Sequence, residues 1–362
     1  MRILYGIQGT GNGHITRARH MAQGLSQKDN MQVDYFFSGR QHSQYFDMAP
    51  FGQFQHARGL TFITDNGRIQ HRKTLSQNNI FTFIRDVKSL IVKNYDLIIN
   101  DFEPVTAWAA KFAGVPSLSV SHQAAFLHHV PKQEQSILDK AITKYFAPTD
   151  HSLGTHWYHF GYNIIPPFVA DDFLIPPSKN SSQGTDILVY LPFENTQSIR
   201  EQLHTLSEYT FICYHPSVKQ IEKDRNIHWH PLSTSQFKQS LLRSAGVISN
   251  CGFELSTECL SLGKPMLVKP LQRQYEQLSN AYTLKELGVC DVMHDLNAEE
   301  IDEWLQNKKG IQIDYPSDCS QFIDWIAEGN WSKSEGICQQ LWQKVKFPED
   351  VKKRLVNLAN TS

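Results

Sequence analysis

The chain has 362 residues, 40% of them hydrophobic and 20% charged, with a mean hydropathy of -0.41. This composition excludes a disordered chain and a bundle of membrane spans. The length exceeds what a single core usually sustains, so two domains are expected. Thirty-five basic against 36 acidic side chains give a formal charge of -1, with no global positive field for a phosphate polymer, so nucleic acid is excluded as the expected partner.

In chain order, short β-branched or aromatic runs at 3–7, 33–37, 97–99 and 117–120 alternate with helix-length segments, the rhythm of a parallel sheet. The rhythm stops at Pro166-Pro167, Pro176-Pro177 and the polar run Ser178-Lys179-Asn180-Ser181-Ser182-Gln183-Gly184, where a linker is expected. It resumes at 186–191, 209–214, 247–249, 266–268 and 291–293. Residues 317–360 carry apolar positions at helical spacing (Phe322, Ile323, Trp325, Ile326, then Leu341, Trp342, Val345). The expected fold is α/β: an N-terminal Rossmann-like domain over 1–165, a second over 182–316, and C-terminal helices over 317–362 that pack back across the domains. In open parallel sheets ligands sit beyond the carboxyl ends of the strands, so the loops that follow strands are the candidate sites.

The first run is too short for a secretory signal, and nothing approaches 18 uninterrupted apolar residues. The six cysteines lack a CxxC pair and lie mostly in apolar stretches, which suits free buried thiols in a reducing compartment. A cytoplasmic protein is therefore expected. The 16 histidines show no metal-ligand spacing, so no metal is expected.

After the first strand, Gln8-Gly9-Thr10-Gly11-Asn12-Gly13-His14 brings backbone close to any ligand. Neither glycine frame completes a dinucleotide fingerprint, and no Lys-Ser or Lys-Thr follows to make a P-loop. What remains is a histidine at the mouth of a strand. It is a candidate general base, or else a residue that caps a helix. Asp101, just past the strand 97–99 and before a helix opened by Pro104, could orient that imidazole if the two strands are neighbours. The alternative is that Asp101 or Glu103 only caps the helix. An Asp101/Glu103 metal pair lacks a third ligand. His122 follows the next strand and is expected in a supporting place.

In the second half, Ser249-Asn250-Cys251-Gly252-Phe253-Glu254 passes from a strand through glycine into a helix. The amides and positive dipole end of that helix suit a diphosphate. Glu258, further along, could accept hydrogen bonds from a ribose diol or simply be a solvated acid. Glu276 and Gln277, at the next helix start, offer an acceptor and an amide for sugar hydroxyls, or are ordinary first-turn residues.

Taken together, Gly11-Asn12-Gly13-His14-Ile15-Thr16-Arg17-Ala18, Asp101-Phe102-Glu103-Pro104, Ser249-Asn250-Cys251-Gly252, Glu258, Gly263-Lys264-Pro265 and Gln274-Tyr275-Glu276-Gln277-Leu278-Ser279-Asn280-Ala281 resemble the GT-B glycosyltransferases. The pattern is most similar to an uncharacterised bacterial and archaeal branch related to the peptidoglycan N-acetylglucosaminyltransferase and the UDP-glycosyltransferases. It spans roughly residues 1–310.

The resemblance implies two Rossmann-like domains facing across a cleft, with the nucleotide-sugar donor on the second and the acceptor mainly on the first. By position, Asn250, Gly252, Phe253 and Glu254 would surround the diphosphate, with Lys264 or Lys269 as aids. Glu258 would hold the ribose, Glu276 and Gln277 the sugar, and His230 the base. His14 would be the base and Asp101 its partner, with Gly11, Asn12, Gly13 and His122 on the acceptor side. The implied activity is inverting transfer of a hexosyl group from a nucleotide-diphosphate sugar, UDP-linked in the closest families, without an essential cofactor. The acceptor is unspecified, either lipid-linked or glycan, with peripheral contact at the inner membrane face if Phe126, Trp157, Tyr158 and Phe160 are exposed. A nucleotide-sugar 2-epimerase and a non-catalytic nucleotide-sugar-binding regulator are the alternatives.

Overall fold

A computed structural model describes residues 1–60, 64–65, 68–69, 79–171 and 185–361. In the first half, β1 (Arg2–Gln8) leads into α1 (Asn12–Leu25), followed by β2 (Gln32–Ser38) and β3 (Gln55–His56). A small antiparallel hairpin of β4 (Thr64–Asp65) and β5 (Arg68–Ile69) precedes α2 (Ile80–Ser89). Then come β6 (Leu97–Asp101), α3 (Pro104–Ala113), β7 (Ser117–Ser121), α4 (His122–Ala125), α5 (Ile137–Tyr145), β8 (His151–Thr155) and β9 (Ile164–Ile165). The seven strands other than the hairpin form one sheet in the order β3-β2-β1-β6-β7-β8-β9, and every pairing is parallel.

The second half repeats the plan with β10 (Ile187–Tyr190), α6 (Thr196–Leu203), β11 (Phe211–Tyr214), β12 (Glu222–Asp224), β13 (Ile227–His230), α7 (Thr234–Arg243) and β14 (Gly246–Ser249). It continues through α8 (Phe253–Leu262), β15 (Met266–Val268), α9 (Tyr275–Leu287), β16 (Asp291–Val292) and α10 (Ala298–Asn307). The sheet order is β12-β13-β11-β10-β14-β15-β16, antiparallel only at the β12 edge. Three more helices close the chain: α11 (Ser320–Glu328), α12 (Glu335–Trp342) and α13 (Glu349–Thr361).

Both sheets are covered on both faces, so central strands such as β1, β6, β10 and β14 are buried at nearly every position rather than at alternate ones. In β1, Ile3, Tyr5 and Ile7 pack toward α1 and the terminal helices α11 and α12, through Phe322, Ile323, Ile326 and Leu341. Leu4 faces the opposite layer with Val87 of α2 and Val105 of α3. The second sheet packs on α6 and α10 on one face and on α8, α9 and α13 on the other. The terminal helices thus serve both halves.

The strands expected at the nine apolar runs are all present. The strands not anticipated are short or mixed in polarity, such as His151–Thr155 and Ile227–His230, where neighbouring strands supply what local pattern does not. Around the expected linker, Val169 is buried and its amide donates to Pro316 O at 3.0 Å. The Pro176-Pro177 and 178–184 part of that linker lies outside the described residues. Phe126 and Trp157 are buried, and Tyr158 and Phe160 pack against the second core as partly buried residues. The aromatic surface considered for a membrane is therefore interior. All six cysteines are unpaired and five are buried. Among the described residues no helix is long and apolar enough to cross a membrane.

One glycine sets where the short helix α4 lies. A Cβ on Gly154 would fall 2.6 Å from the backbone of Ala125, so α4 rests directly on β8. Gly154→Ala forces backbone apart and is expected to cost about 3 kcal/mol, read as a lowered denaturation midpoint.

Candidate functional site

In each sheet the strand order reverses beside the first strand of its half: β1 lies between β2 and β6, and β10 between β11 and β14. These reversals leave crevices at the carboxyl ends of the strands. Beside these crevices, and along the flank of α1, lies a cleft of about 780 Å³ between the halves, walled by Gly13, Arg17 and Phe51 on one side and Leu232, Glu254 and Glu258 on the other.

On the first side, β1 and β6 are neighbours with Ile7 opposite Asp101, which brings Asp101 to the start of α1. Its Oδ1 lies 2.8 Å from His14 Nδ1. Phe102 takes a left-handed backbone (φ 55°), a conformation that costs a non-glycine residue about 1 kcal/mol. The kink separates the two acids around it. Asp101 turns to His14, while Glu103 caps α3 by accepting from Val105 N at 2.8 Å and Thr106 N at 2.6 Å. The choice between orienting and capping is thus divided between two residues.

Arg17 sits one turn beyond His14 on the same helix face. Its Nε and Nη2 grip both oxygens of Asp101 at 2.9 and 2.7 Å, and its Nη1 donates to Glu254 Oε1 from the other half. Asp101 is completely buried. Burial alone would raise its carboxyl, but Arg17 and His14 reverse this and hold it below the usual range. An ionised Asp101 only accepts, so His14 Nδ1 donates to it, and in the neutral imidazole the lone pair then lies on Nε2. The 3.1 Å between Arg17 Nη2 and His14 Nδ1 is then the spacing of two donors that share one oxygen. His14 stands behind the cleft wall formed by its neighbours Gly13 and Arg17.

His14 Nε2 faces Gln123 Nε2 at 3.4 Å, and the same amide donates to Glu276 Oε2 at 2.9 Å. Residues from α1, α4 and α9 therefore meet at one point. Asn12 adds another cross-connection, donating to Tyr190 Oη at 3.0 Å and accepting from Arg40 Nη2 at 3.0 Å. A Cβ on Gly11 would meet nothing within 4 Å, whereas one on Gly13 would touch Glu254.

On the second side, Gly252 is the N-cap of α8 and supplies no side chain to its first amides. A Cβ there would also meet nothing within 4 Å, so the helix start is open. Phe253 points away from that opening and stacks on His122 at 3.9 Å between ring centroids. Glu254 pairs with Arg17. Burial, with Asp101 adding to it, pushes the Glu254 carboxyl up against the opposing pull of Arg17. Burial and then the charge of Glu254 push Glu258 up to about 8, with Lys238 opposing.

Several side chains are more occupied than their sequence positions imply. Gln277 Oε1 accepts from Leu271 N at 2.8 Å and shapes the loop before α9. Asn250 Nδ2 donates to Lys269 O at 2.9 Å, and its buried Oδ1 has no partner. Lys269 forms a buried pair with Glu194 at 2.8 Å. His230 stacks on Tyr214, which itself lines the cleft.

Two placements correct the sequence reading. Lys264 donates to the carbonyls of Leu242 and Ser244 at 2.9 and 2.6 Å. It follows α8 and precedes β15, so it caps α7 at the opposite end of the sheet from the cleft. His122 does not line the acceptor side. It is buried, with Nδ1 2.9 Å from Thr155 O and Nε2 2.7 Å from Asn280 Oδ1, and it joins the two halves. Arg17, Gln123 and Tyr190 were not anticipated as site residues. Only for Arg17 does the sequence carry a signal, its spacing of three from His14. Among the described residues no cluster of three His, Cys, Asp or Glu side chains could hold a metal.

Comparison with known proteins agrees with this architecture. The matching family is described as "Glycosyl transferase family 1", over residues 1–308. No curated relative matches the sequence. Among solved structures, UGT2 of Phytolacca americana, complexed with UDP-2-fluoroglucose and pterostilbene, is 13% identical with a TM-score of 0.57, covering 100% of this chain and 99% of that one. A UGT transferase from Siraitia grosvenorii in complex with UDP is 14% identical with a TM-score of 0.54 and 99% coverage of both chains. MurG of Acinetobacter baumannii is 11% identical with a TM-score of 0.51, covering 100% and 99%. These likenesses are of fold. With the family match spanning most of its length and two facing α/β sheets of GT-B type, the chain belongs to glycosyl transferase family 1 and is a glycosyltransferase.

Proposed function

We propose that the enzyme is an inverting hexosyltransferase that uses a nucleotide-diphosphate sugar, with UDP as the favoured nucleotide, and a hydroxyl acceptor. The observation that carries this reading is the Asp101–His14 contact at 2.8 Å, which engages Nδ1 and turns Nε2 toward Gln123, the partner of Glu276 from the opposite half. The complexes of UGT relatives with UDP and a UDP sugar support the choice of donor.

In the proposed step, His14 Nε2 removes the proton of the acceptor hydroxyl as that oxygen forms a bond to the anomeric carbon. The bond from that carbon to the phosphate oxygen breaks on the opposite face, and its electron pair leaves with the nucleoside diphosphate. Asp101 stabilises the imidazolium formed at His14. The open amides at the start of α8 and the positive end of its dipole receive the diphosphate. Glu258 accepts from the ribose hydroxyls. Glu276 accepts from a hydroxyl of the transferred sugar once Gln123 yields its place. His14 Nε2 and Glu276 approach the same amide from opposite halves, which supports a base beside the sugar rather than the nucleotide.

His14→Ala is expected to lower turnover by about 10²- to 10⁴-fold while leaving donor affinity within a few-fold. Steady-state transfer and calorimetric donor binding together test this. Retained turnover removes His14 as the base.

Glu258 generates a pH prediction. With its carboxyl raised to about 8, the unliganded side chain is mostly protonated at neutral pH, yet the carboxylate accepts from two ribose hydroxyls more strongly than the neutral acid does. Affinity for UDP-glucose, whose diphosphate does not titrate in this range, should rise several-fold from about pH 6.5 to about pH 8.5 and level off above it. Glu258→Gln should flatten the profile.

A further inference from the structure

A leaving nucleoside diphosphate develops negative charge, and the cations near the cleft are mostly engaged elsewhere. Lys264 caps α7 at the far end of the sheet, and Lys269 is paired with Glu194. Arg19 donates to the carbonyls of Phe46 and Asp47 at 3.0 and 3.3 Å, and Lys238 acts on Glu258. Arg17 differs from all of these. Asp101 fixes the plane of its guanidinium through two donors, and the remaining one, Nη1, reaches across the cleft to Glu254.

Glu254 is the second residue of α8 and so places a carboxylate beside amides that no side chain caps. An anion at a helix start is favoured there by the same partial charge that favours phosphate. A Cβ on Gly252 would meet nothing within 4 Å, so the backbone at this helix start is bare and open to a second anion.

We propose that Arg17 is a catalytic cation of the transfer: on donor entry its Nη1 leaves Glu254 and takes the diphosphate, for which Glu254 holds the place in the empty enzyme. The proposal rests on the glycosyl-transfer reading above. When the anomeric carbon–oxygen bond breaks, the electron pair moves onto the phosphate oxygen, and Arg17 neutralises it from the half that also carries the base. Asp101 keeps the fork oriented throughout, so the exchange moves one hydrogen bond rather than the whole side chain. Lysine could not do both, because it is a single point charge without a fork. Burial already disfavours the charged form of Glu254, so the carboxylate can release its partner by taking a proton.

The test is UDP binding measured by calorimetry on the full chain and on Glu254→Gln, Arg17→Lys and Arg17→Gln, with turnover measured in parallel. If Glu254 competes with the diphosphate for Arg17, Glu254→Gln binds UDP about 5- to 10-fold more tightly than the wild type, while Arg17→Gln binds it at least about 10-fold more weakly. Arg17→Lys should keep most of the affinity and lose about 10²-fold in turnover. A purely structural ion pair would weaken binding from both sides, so UDP affinity unchanged or reduced in Glu254→Gln overturns the proposal even if Arg17→Gln fails to fold. Failure of the wild type to bind UDP, TDP or their glucose conjugates would remove the broader reading and this proposal together. Normal wild-type binding without the opposite response of the two variants removes only this one.

Discussion

One guanidinium shared between two carboxylates from different halves of the chain is the constraint on which the site depends. Asp101 is fully enclosed, and the side chains of Arg17 and Glu254 are only 12% and 11% exposed. Charges so buried are tolerated only when every partner is present, and removing one member of such a group typically costs about 3–5 kcal/mol. The arrangement therefore sets more than stability. It holds Asp101 ionised, which determines the tautomer of His14, and it sets how near α8 comes to the glycine turn after β1. Gly13 lies against Glu254, close enough that a Cβ there would just touch its side chain.

The remaining contacts between the halves are also made by elements that carry site residues. α4 supplies both His122, stacked on Phe253 and bonded to Asn280, and Gln123, bonded to Glu276. Trp157 donates to Thr257 of α8 at 2.9 Å. On the outer side, Asp47 accepts from Thr234 N at 3.0 Å. This boundary combines hydrogen bonds, stacked rings and one ion cluster with apolar contacts such as Trp157 and Val169 in the second core. The hydrogen bonds are directional, so a small shift of either half changes the geometry around His14 and Glu276 together.

The fold was largely legible from local pattern. Strands covered on both faces are continuously apolar, and Val247-Ile248-Ser249 or Leu97-Ile98-Ile99 can hardly be anything but buried strands. Edge strands escaped because polar residues interrupt them: β12 reads Glu222-Lys223-Asp224 and is a strand only because β13 lies beside it. The glycine turns were equally plain, since bare backbone at a strand end has few uses. Lys264 misled for the opposite reason. Its position in a glycine and proline motif suggested the cleft, but a residue after a helix and before a strand returns to the amino end of a parallel sheet, away from ligands.

What the amino-acid order alone determined is local: which runs are strands, where helices start, and that His14, Asp101 and the α8 start each follow a strand. Those features depend on side-chain periodicity and backbone freedom within a few residues. Which acid meets His14, that Arg17 spans the cleft, that Gln123 stands between His14 and Glu276, and that His122 joins the halves instead of lining them were decided only by the tertiary structure. These are distances between residues 84 to 237 positions apart in the chain. Such distances follow from strand order and from how two sheets are packed face to face, and no short stretch of sequence carries either.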